Sequence, residues 1–318
     1  MRHFVAVFWR NNAQSREDFT NTVYWHLLGG LAALGSAFCW AVSAVLFQQL
    51  GEHVSALAMN LFKGIVATIC IGVILLPTGL ADMSRDAALL LALSGLVGIC
   101  LGDTLFFLTI KRLGSRLTLL MGSLIPVATA SIAVAVLGEH VGLSAGVGLL
   151  LTVIGVSYVL WERSPVKAEF VQWRMGVFFG LLFVLANALG IIFTKVGVKD
   201  IPALDATFVR TIWAVIGLAA WVIVARTISS VIEPVKNPRL RNRLLLASVI
   251  GAFVGTWLSV AALKYTHAAV AVTLNSTSPL FVLPLAMMVL KEQITWRAVS
   301  GAFVAVMGIT VYFFSLYW

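Results

Sequence analysis

The sequence is poor in charge. Of its 318 residues only 11% are Asp, Glu, Lys or Arg, whereas 60% are hydrophobic and the mean hydropathy is +1.00. A soluble domain carries about 25% charged residues, so an ordinary soluble globule is excluded. The apolar content also excludes a disordered chain, and 26 scattered glycines with 8 prolines exclude a collagen-like one. Cysteine is scarce. Cys39, Cys70 and Cys100, an odd number and each inside an apolar run, offer neither a disulfide framework nor paired zinc spacing. The five histidines (His3, His26, His53, His140 and His267) form no HExxH motif, and no GxxxxGK[ST] loop is present. The chain therefore reads as non-enzymatic, with no metal and no cofactor. The net charge of +9 falls mostly in short connections between apolar runs, where it directs topology. No nucleic-acid partner is implied.

What is abundant is long apolar sequence. Runs at about 27–49, 54–77, 87–110, 116–137, 142–161, 172–196, 204–225, 243–264, 268–290 and 296–315 are separated by short clusters rich in Pro, Gly and charge. A helical span needs about 20 such residues, and the alternation of a transmembrane barrel is missing. The fold class expected is an all-α polytopic membrane protein of ten transmembrane helices, with lipid as its surrounding partner. Residues 1–26 form a polar extension without the basic, apolar and small-residue order of a signal peptide. The first run is then an uncleaved anchor.

The ten runs divide into two halves by an internal repeat. A shift of 153 places residues 102–158 on 255–311 without a gap. Gly102 falls on Gly255, Lys111 on Lys264, Ser123 on Ser276, Pro126 on Pro279, Glu139 on Glu292, Gly148 on Gly301 and Gly155 on Gly308. Upstream, a shift of 147 pairs Lys63 with Arg210 and Gln48 with Lys195. Five spans is an odd number, so the second half must enter the bilayer inverted relative to the first. Inverted repeats are a plan of secondary transporters, with the substrate near the midplane between the halves. The expected organisation is an extension (1–26), a first five-helix repeat (27–161) and a second (172–315).

The repeated motifs are SLIPVATASIAVAVLGE followed by VGLSAGVGLLLTVIG, and STSPLFVLPLAMMVLKE followed by AVSGAFVAVMG. Each half has a Pro early in its fourth span, a Gly-Glu or Lys-Glu at that span's end, and small residues through the fifth. In this the chain resembles the EamA-type transporters of the drug/metabolite transporter superfamily over about residues 27–315. The resemblance implies a ten-helix secondary transporter of the bacterial inner (plasma) membrane. It would move small organic molecules such as amino acids, other metabolites or drugs by alternating access, with export the commoner direction. Import or facilitated diffusion of the same solutes is the alternative, and a non-transporting assembly factor a more distant one. Protons are a candidate coupling partner, and the assembly a monomer or homodimer. The resemblance implies termini inside, whereas the loop charges, heavier on the opposite face around Arg226 to Arg243, place them outside.

Ionisable groups at membrane depth are the best pointers to a transport path, since each costs about 2.5–3.5 kcal/mol at a helix centre on insertion scales. Lys63 and Arg210, at equivalent repeat positions, read either as cations facing a cavity or as side chains snorkelling to an interface. Asp103 reads either as a partner of Lys63 and proton carrier, or as a structural partner of the nearby Lys111 and Arg112. Trp40, Asn187, Trp257 and Asn275 lie within spans and complete the substrate-path candidates. Glu139 and Glu292 read as structural, favouring the positive end of the next helix. Pro126 and Pro279 read as symmetric shape elements that remove a backbone hydrogen bond. Gly98/Gly102, Gly251/Gly255, Gly176/Gly180 and Gly142/Gly146 form GxxxG pairs, which permit close helix approach.

Overall fold

A computed structural model describes residues 27–137, 142–162, 170–197, 201–265, 274–291 and 293–315. Glu139, Glu292 and the 1–26 extension lie outside the described residues. Every regular element among the described residues is helical, and no strand occurs there. Among the described residues seven helices are long and apolar enough to cross a bilayer, and two shorter helices, Ser278–Leu290 and Trp296–Tyr312, are also apolar. The chain is a multi-pass integral membrane protein.

Helix α1 spans Leu27–Leu50. A tight turn leads to α2 (Ala56–Leu75), which starts where the Ser55 side chain accepts a hydrogen bond from the Ala58 amide at 3.2 Å, an N-cap that satisfies an otherwise orphaned donor. Ser84 caps α3 (Arg85–Ser94) in the same way. The helix then widens into a π-type segment over Gly95–Asp103 before resuming as α4 (Thr104–Gly122). After α5 (Ile125–Leu137), α6 (Leu143–Glu162), α7 (Phe170–Gly197) and α8 (Ala203–Val224) come α9 (Ile228–Lys236) and α10 (Pro238–Ser248). A second π-type segment, Val249–Gly255, joins α10 to α11 (Thr256–Tyr265), and α12 (Ser278–Leu290) and α13 (Trp296–Ser315) end the described fold.

Two boundaries differ from the expectation. The third and fourth apolar runs are joined by one residue. Gly114, at φ 80°, ψ 167°, is the sole non-helical position within Thr104–Gly122, and glycine alone adopts such a backbone without strain. The Gln48 side chain fills the gap and accepts the Ser115 amide at 2.5 Å. The basic stretch before residue 243, expected as a connection, is itself helical. Asn237 accepts the Arg239 amide at 3.0 Å and Pro238 occupies the first turn of α10, a start signal that apolar periodicity overlooks.

The elements follow the repeat. The two π-type segments fall on each other under the 153-residue shift. So do two breaks in which an amide reaches back only three residues: Leu124 to the Met121 carbonyl (2.9 Å) and Thr277 to the Leu274 carbonyl (3.1 Å). Pro126 and Pro279 come directly after these breaks, within the first turn of α5 and α12, where a missing N–H leaves nothing unsatisfied. They shape the helix by starting it after the break.

Interlocking contacts also come in related pairs. The Ser94 hydroxyl donates to the Gly190 carbonyl at 2.6 Å, and the Ser43 hydroxyl to the Ala247 carbonyl at 2.8 Å. Residues 43 and 190 differ by 147, and 94 and 247 by 153. Thus α1 lies on the second π-type segment as α7 lies on the first. Gly98 and Gly190 touch backbone to backbone at one seam, and Gly251 meets Ser43 at the other. Three of the GxxxG pairs are packed within the bundle, whereas a Cβ added at Gly142 or Gly146 would meet no atom of another element within 4 Å. Helices α6 and α13 run antiparallel, with Gly148 against Gly308 and Gly155 against Gly301.

Antiparallel glycine contacts leave no room for a side chain. At Gly155 an added Cβ would stand 3.0 Å from the Ala305 Cα. Gly155→Val should lower the melting temperature of the detergent-purified protein, by the equivalent of about 1–3 kcal/mol. Gly146→Ala, on the open side of the same helix, should leave it unchanged or raise it. Equal losses in a thermal unfolding assay would contradict this placement of α6.

Candidate functional site

A cavity of about 510 Å³ opens among α1, α2, α4, α7, α8 and both π-type segments. That volume is in the range of small-molecule sites, about 300–1,000 Å³. Its construction begins with a backbone problem. Widening a helix to π geometry disturbs the regular carbonyl acceptance pattern, and in lipid a free carbonyl has no water to turn to. Asn60, fully buried on α2, answers this: its amide donates to the carbonyls of Ile99 (2.9 Å) and Cys100 (3.2 Å) and to the Thr104 hydroxyl (3.0 Å). At the second π-type segment, Ser36 of α1 donates to the Gly255 carbonyl at 2.8 Å.

The same register brings charge together. Lys63 lies three residues after Asn60, one helical turn along the same face of α2, and Asp103 closes the segment Asn60 holds. Lys63 and Asp103 form a hydrogen-bonded ion pair, with side chains still partly accessible from the cavity. The Lys63 ammonium also stands 5.5 Å from the centroid of the Phe107 ring, within reach of a cation–π attraction. Lys111, the alternative partner for Asp103, instead donates to the Val54 carbonyl at 3.1 Å.

Arg210, the repeat mate of Lys63, lines the cavity from α8. Its Nε is buried without a hydrogen-bond partner, and no ion pair joins it to a carboxylate among the described residues. Lys63, Asp103 and Arg210 are the charged residues of the lining.

Trp40 and Asn187 line the cavity too, and they are separated by 147, so they are also repeat mates. Each rests on a glycine of a π-type segment. A Cβ at Gly255 would meet the Trp40 ring at 2.8 Å, and one at Gly102 the Asn187 amide at 2.6 Å. Asp103 and Thr256, related by 153, face the same space. Three related pairs (Trp40/Asn187, Lys63/Arg210, Asp103/Thr256) thus converge on one cavity.

Two candidates stand elsewhere. Trp257 is 56% exposed, and its inner edge lines a small apolar notch of about 20 Å³ outside the main cavity. Asn275 is buried and donates to the Ser259 hydroxyl at 2.8 Å, away from the lining.

The aromatic wall went unnoticed in the sequence. Phe47, Phe106, Phe107 and Phe183 line the cavity and pack edge-on or tilted against one another, with centroids 4.7 Å apart for Phe47–Phe107 and 5.2 Å for Phe106–Phe183. Helical spacing held the signal: Phe106 and Phe107 follow Asp103 by three and four residues, on its face of the helix. Thr207 and Thr211 flank Arg210 on α8 and add hydroxyls to the lining.

Comparison with known proteins agrees with this architecture. A family model described as the EamA-like transporter family matches residues 27–161 and 174–314. A protein of Archaeoglobus fulgidus named as an uncharacterized transporter is 28% identical over 288 residues, 88% of this chain and 95% of its own length. A crystallised protein shares the fold at a TM-score of 0.59 and 13% identity, over 89% of this chain and 95% of that one.

An ion pair in such surroundings is coupled. Removing one partner strands the other's charge, while removing both does not. Lys63→Ala and Asp103→Ala should each lower the melting temperature more than half as much as the double variant does. The coupling energy in a double-mutant cycle is expected at about 0.5–3 kcal/mol. Strict additivity would mean that the two side chains do not interact.

Proposed function

We propose, for a chain that belongs to the EamA-like transporter family, that it is a secondary transporter of small organic metabolites working by alternating access. A transporter rather than an enzyme is what the family and the archaeal relative indicate. The observation that carries the mechanism is the cavity of about 510 Å³ lined by repeat-related residues of both halves. A site shared in this way is reshaped when one half rocks against the other.

The proposed frame is ten transmembrane helices in two inverted five-helix repeats. Its support is the α6–α13 contact. Equivalent helices meet there antiparallel, Gly148 on Gly308 and Gly155 on Gly301, as a two-fold axis in the membrane plane requires. An axis along the membrane normal would bring equivalent helices together parallel. The paired breaks before Pro126 and Pro279, and the paired π-type segments, give each half its points of bending.

Within this frame Lys63, Asp103, Arg210, Trp40 and Asn187 form the substrate path, and the membrane is the bacterial inner membrane. Export of amino acids, related metabolites or drugs is the proposed direction. Protons are the proposed coupling ion.

Uptake and counterflow of a metabolite panel in proteoliposomes, with and without a proton gradient, test the proposal. At least one solute should move, and Arg210→Ala should raise its apparent KM about tenfold or more, the loss expected for a charge-assisted contact of roughly 1.5–3 kcal/mol, while Lys63→Ala should raise it by leaving Asp103 unpaired in the same cavity. A folded protein that moves no solute of a broad panel would sink the transporter reading.

A further inference from the structure

The charges that line the cavity do not sum to zero. Lys63 and Asp103 form a pair and cancel. Arg210 is left over. Its Nε is buried without a hydrogen-bond partner, and no ion pair joins it to a carboxylate among the described residues. The repeat shows why. Where the first half has Asp103, the second has Thr256, so the carboxylate that would neutralise the second cation is missing. An unmatched guanidinium at membrane depth is costly, and its five donors in a rigid fork suit a carboxylate or other flat anion.

The rest of the lining limits what can bring that anion. Phe106, Phe107 and Phe183 present ring surface, and the Trp40 indole lies on the same cavity. Thr207 and Thr211, on the helix of Arg210, also line the cavity, the Thr211 hydroxyl donating to the Thr207 carbonyl at 2.7 Å. The cavity thus offers one uncompensated positive charge and an aromatic wall.

From this lining we infer that the cargo is a singly charged organic anion, with its acid group on Arg210 and an apolar or aromatic body against the phenylalanines, while Lys63 and Asp103 stay paired as a neutral wall. The inference rests on the transporter reading and narrows it. A zwitterion would place an ammonium near Arg210 while the cavity's one carboxylate is engaged by Lys63. A cation meets net repulsion, a neutral isostere forgoes the charge-assisted bonds, and a dianion leaves one negative charge unmatched.

The test is thermal stabilisation of the detergent-purified full chain by five probes of similar shape. They are phenylacetate, phenylacetamide, phenylalanine, phenethylamine and phenylmalonate. A ligand that binds the folded state raises its stability by mass action. Phenylacetate should bind about tenfold or more tightly than the amide, about 1.4 kcal/mol, and more tightly than the zwitterion, the amine and the dianion. Arg210→Gln should make acid and amide equal. Arg210→Lys, which keeps the charge, should retain the preference at lower affinity and serves as the folding control. Asp103→Asn should free Lys63, raise the cavity's charge to two, and move the preference to phenylmalonate.

Wild-type protein that favours the amide, amine or zwitterion, or that is stabilised by none of the five, overturns the inference. So does an acid preference that survives in Arg210→Gln. Proteoliposome flux of a neutral or cationic solute without acid binding would remove the anion assignment and leave the transporter reading standing. Acid binding with no flux of any solute would do the reverse.

Discussion

A backbone carbonyl released from its helical partner inside a bilayer must find another donor, because the lipid offers none. The rest of this structure depends on how that demand is met. Two of its helices widen at Gly95–Asp103 and Val249–Gly255, and the side chains that attend these segments are the ones that join the bundle. Asn60 takes two carbonyls and a hydroxyl of the first. Ser36 and Ser43 take carbonyls in and just before the second. Ser94, just before the first segment, reaches across to α7. Each of these bonds also fixes a helix spacing, so satisfying the backbone and building the cavity wall are one act.

Charge follows from that scaffold. Because Asn60 sets α2 against the first π-type segment, Lys63 and Asp103, one turn away, are brought to hydrogen-bond distance. The second half keeps the cation and not the carboxylate. An exact internal symmetry would have produced a neutral cavity with two pairs. Asp103/Thr256 is the point where the halves diverge, and it leaves Arg210 as a distinct chemical feature in otherwise matched walls. Close glycine contacts let the walls stand where they do. Trp40 and Asn187 project into the cavity because Gly255 and Gly102 leave room behind them.

Much of this was legible in the residues. Composition dictates the membrane, and the shifts of 153 and 147 pair Lys63 with Arg210 and Pro126 with Pro279 from the sequence alone. Other features were hidden for definite reasons. Lys63 and Asp103 are 40 positions apart, and their pairing depends on the packing of α2 against the third span. Lys111 and Arg112 were nearer in sequence and equally plausible partners. Asn60 looked like any polar residue in a span, since π geometry leaves no compositional mark beyond its glycines. That Trp257 is half-exposed while Trp40 lines the cavity is not legible either, because lying within a span does not show which face of the helix looks inward. The break between the third and fourth runs is legible at residues 111–115, but that Gly114 alone makes it is not, because a connection of one residue is shorter than any window of hydropathy resolves.

The sequence by itself determined that the chain lives in lipid, that it is built twice over, and that few charges sit at membrane depth. These follow from composition and spacing, which burial and repetition impress directly on a linear string. Only the tertiary structure decided which of those charges cancel. Whether a lysine is neutralised depends on the position of one carboxylate oxygen, and that position is set by helices packed across the bundle. The scarcity of charge was visible from the first residue count; the single positive charge left at Arg210 emerged only when α2, α8 and the first π-type segment came together around one cavity.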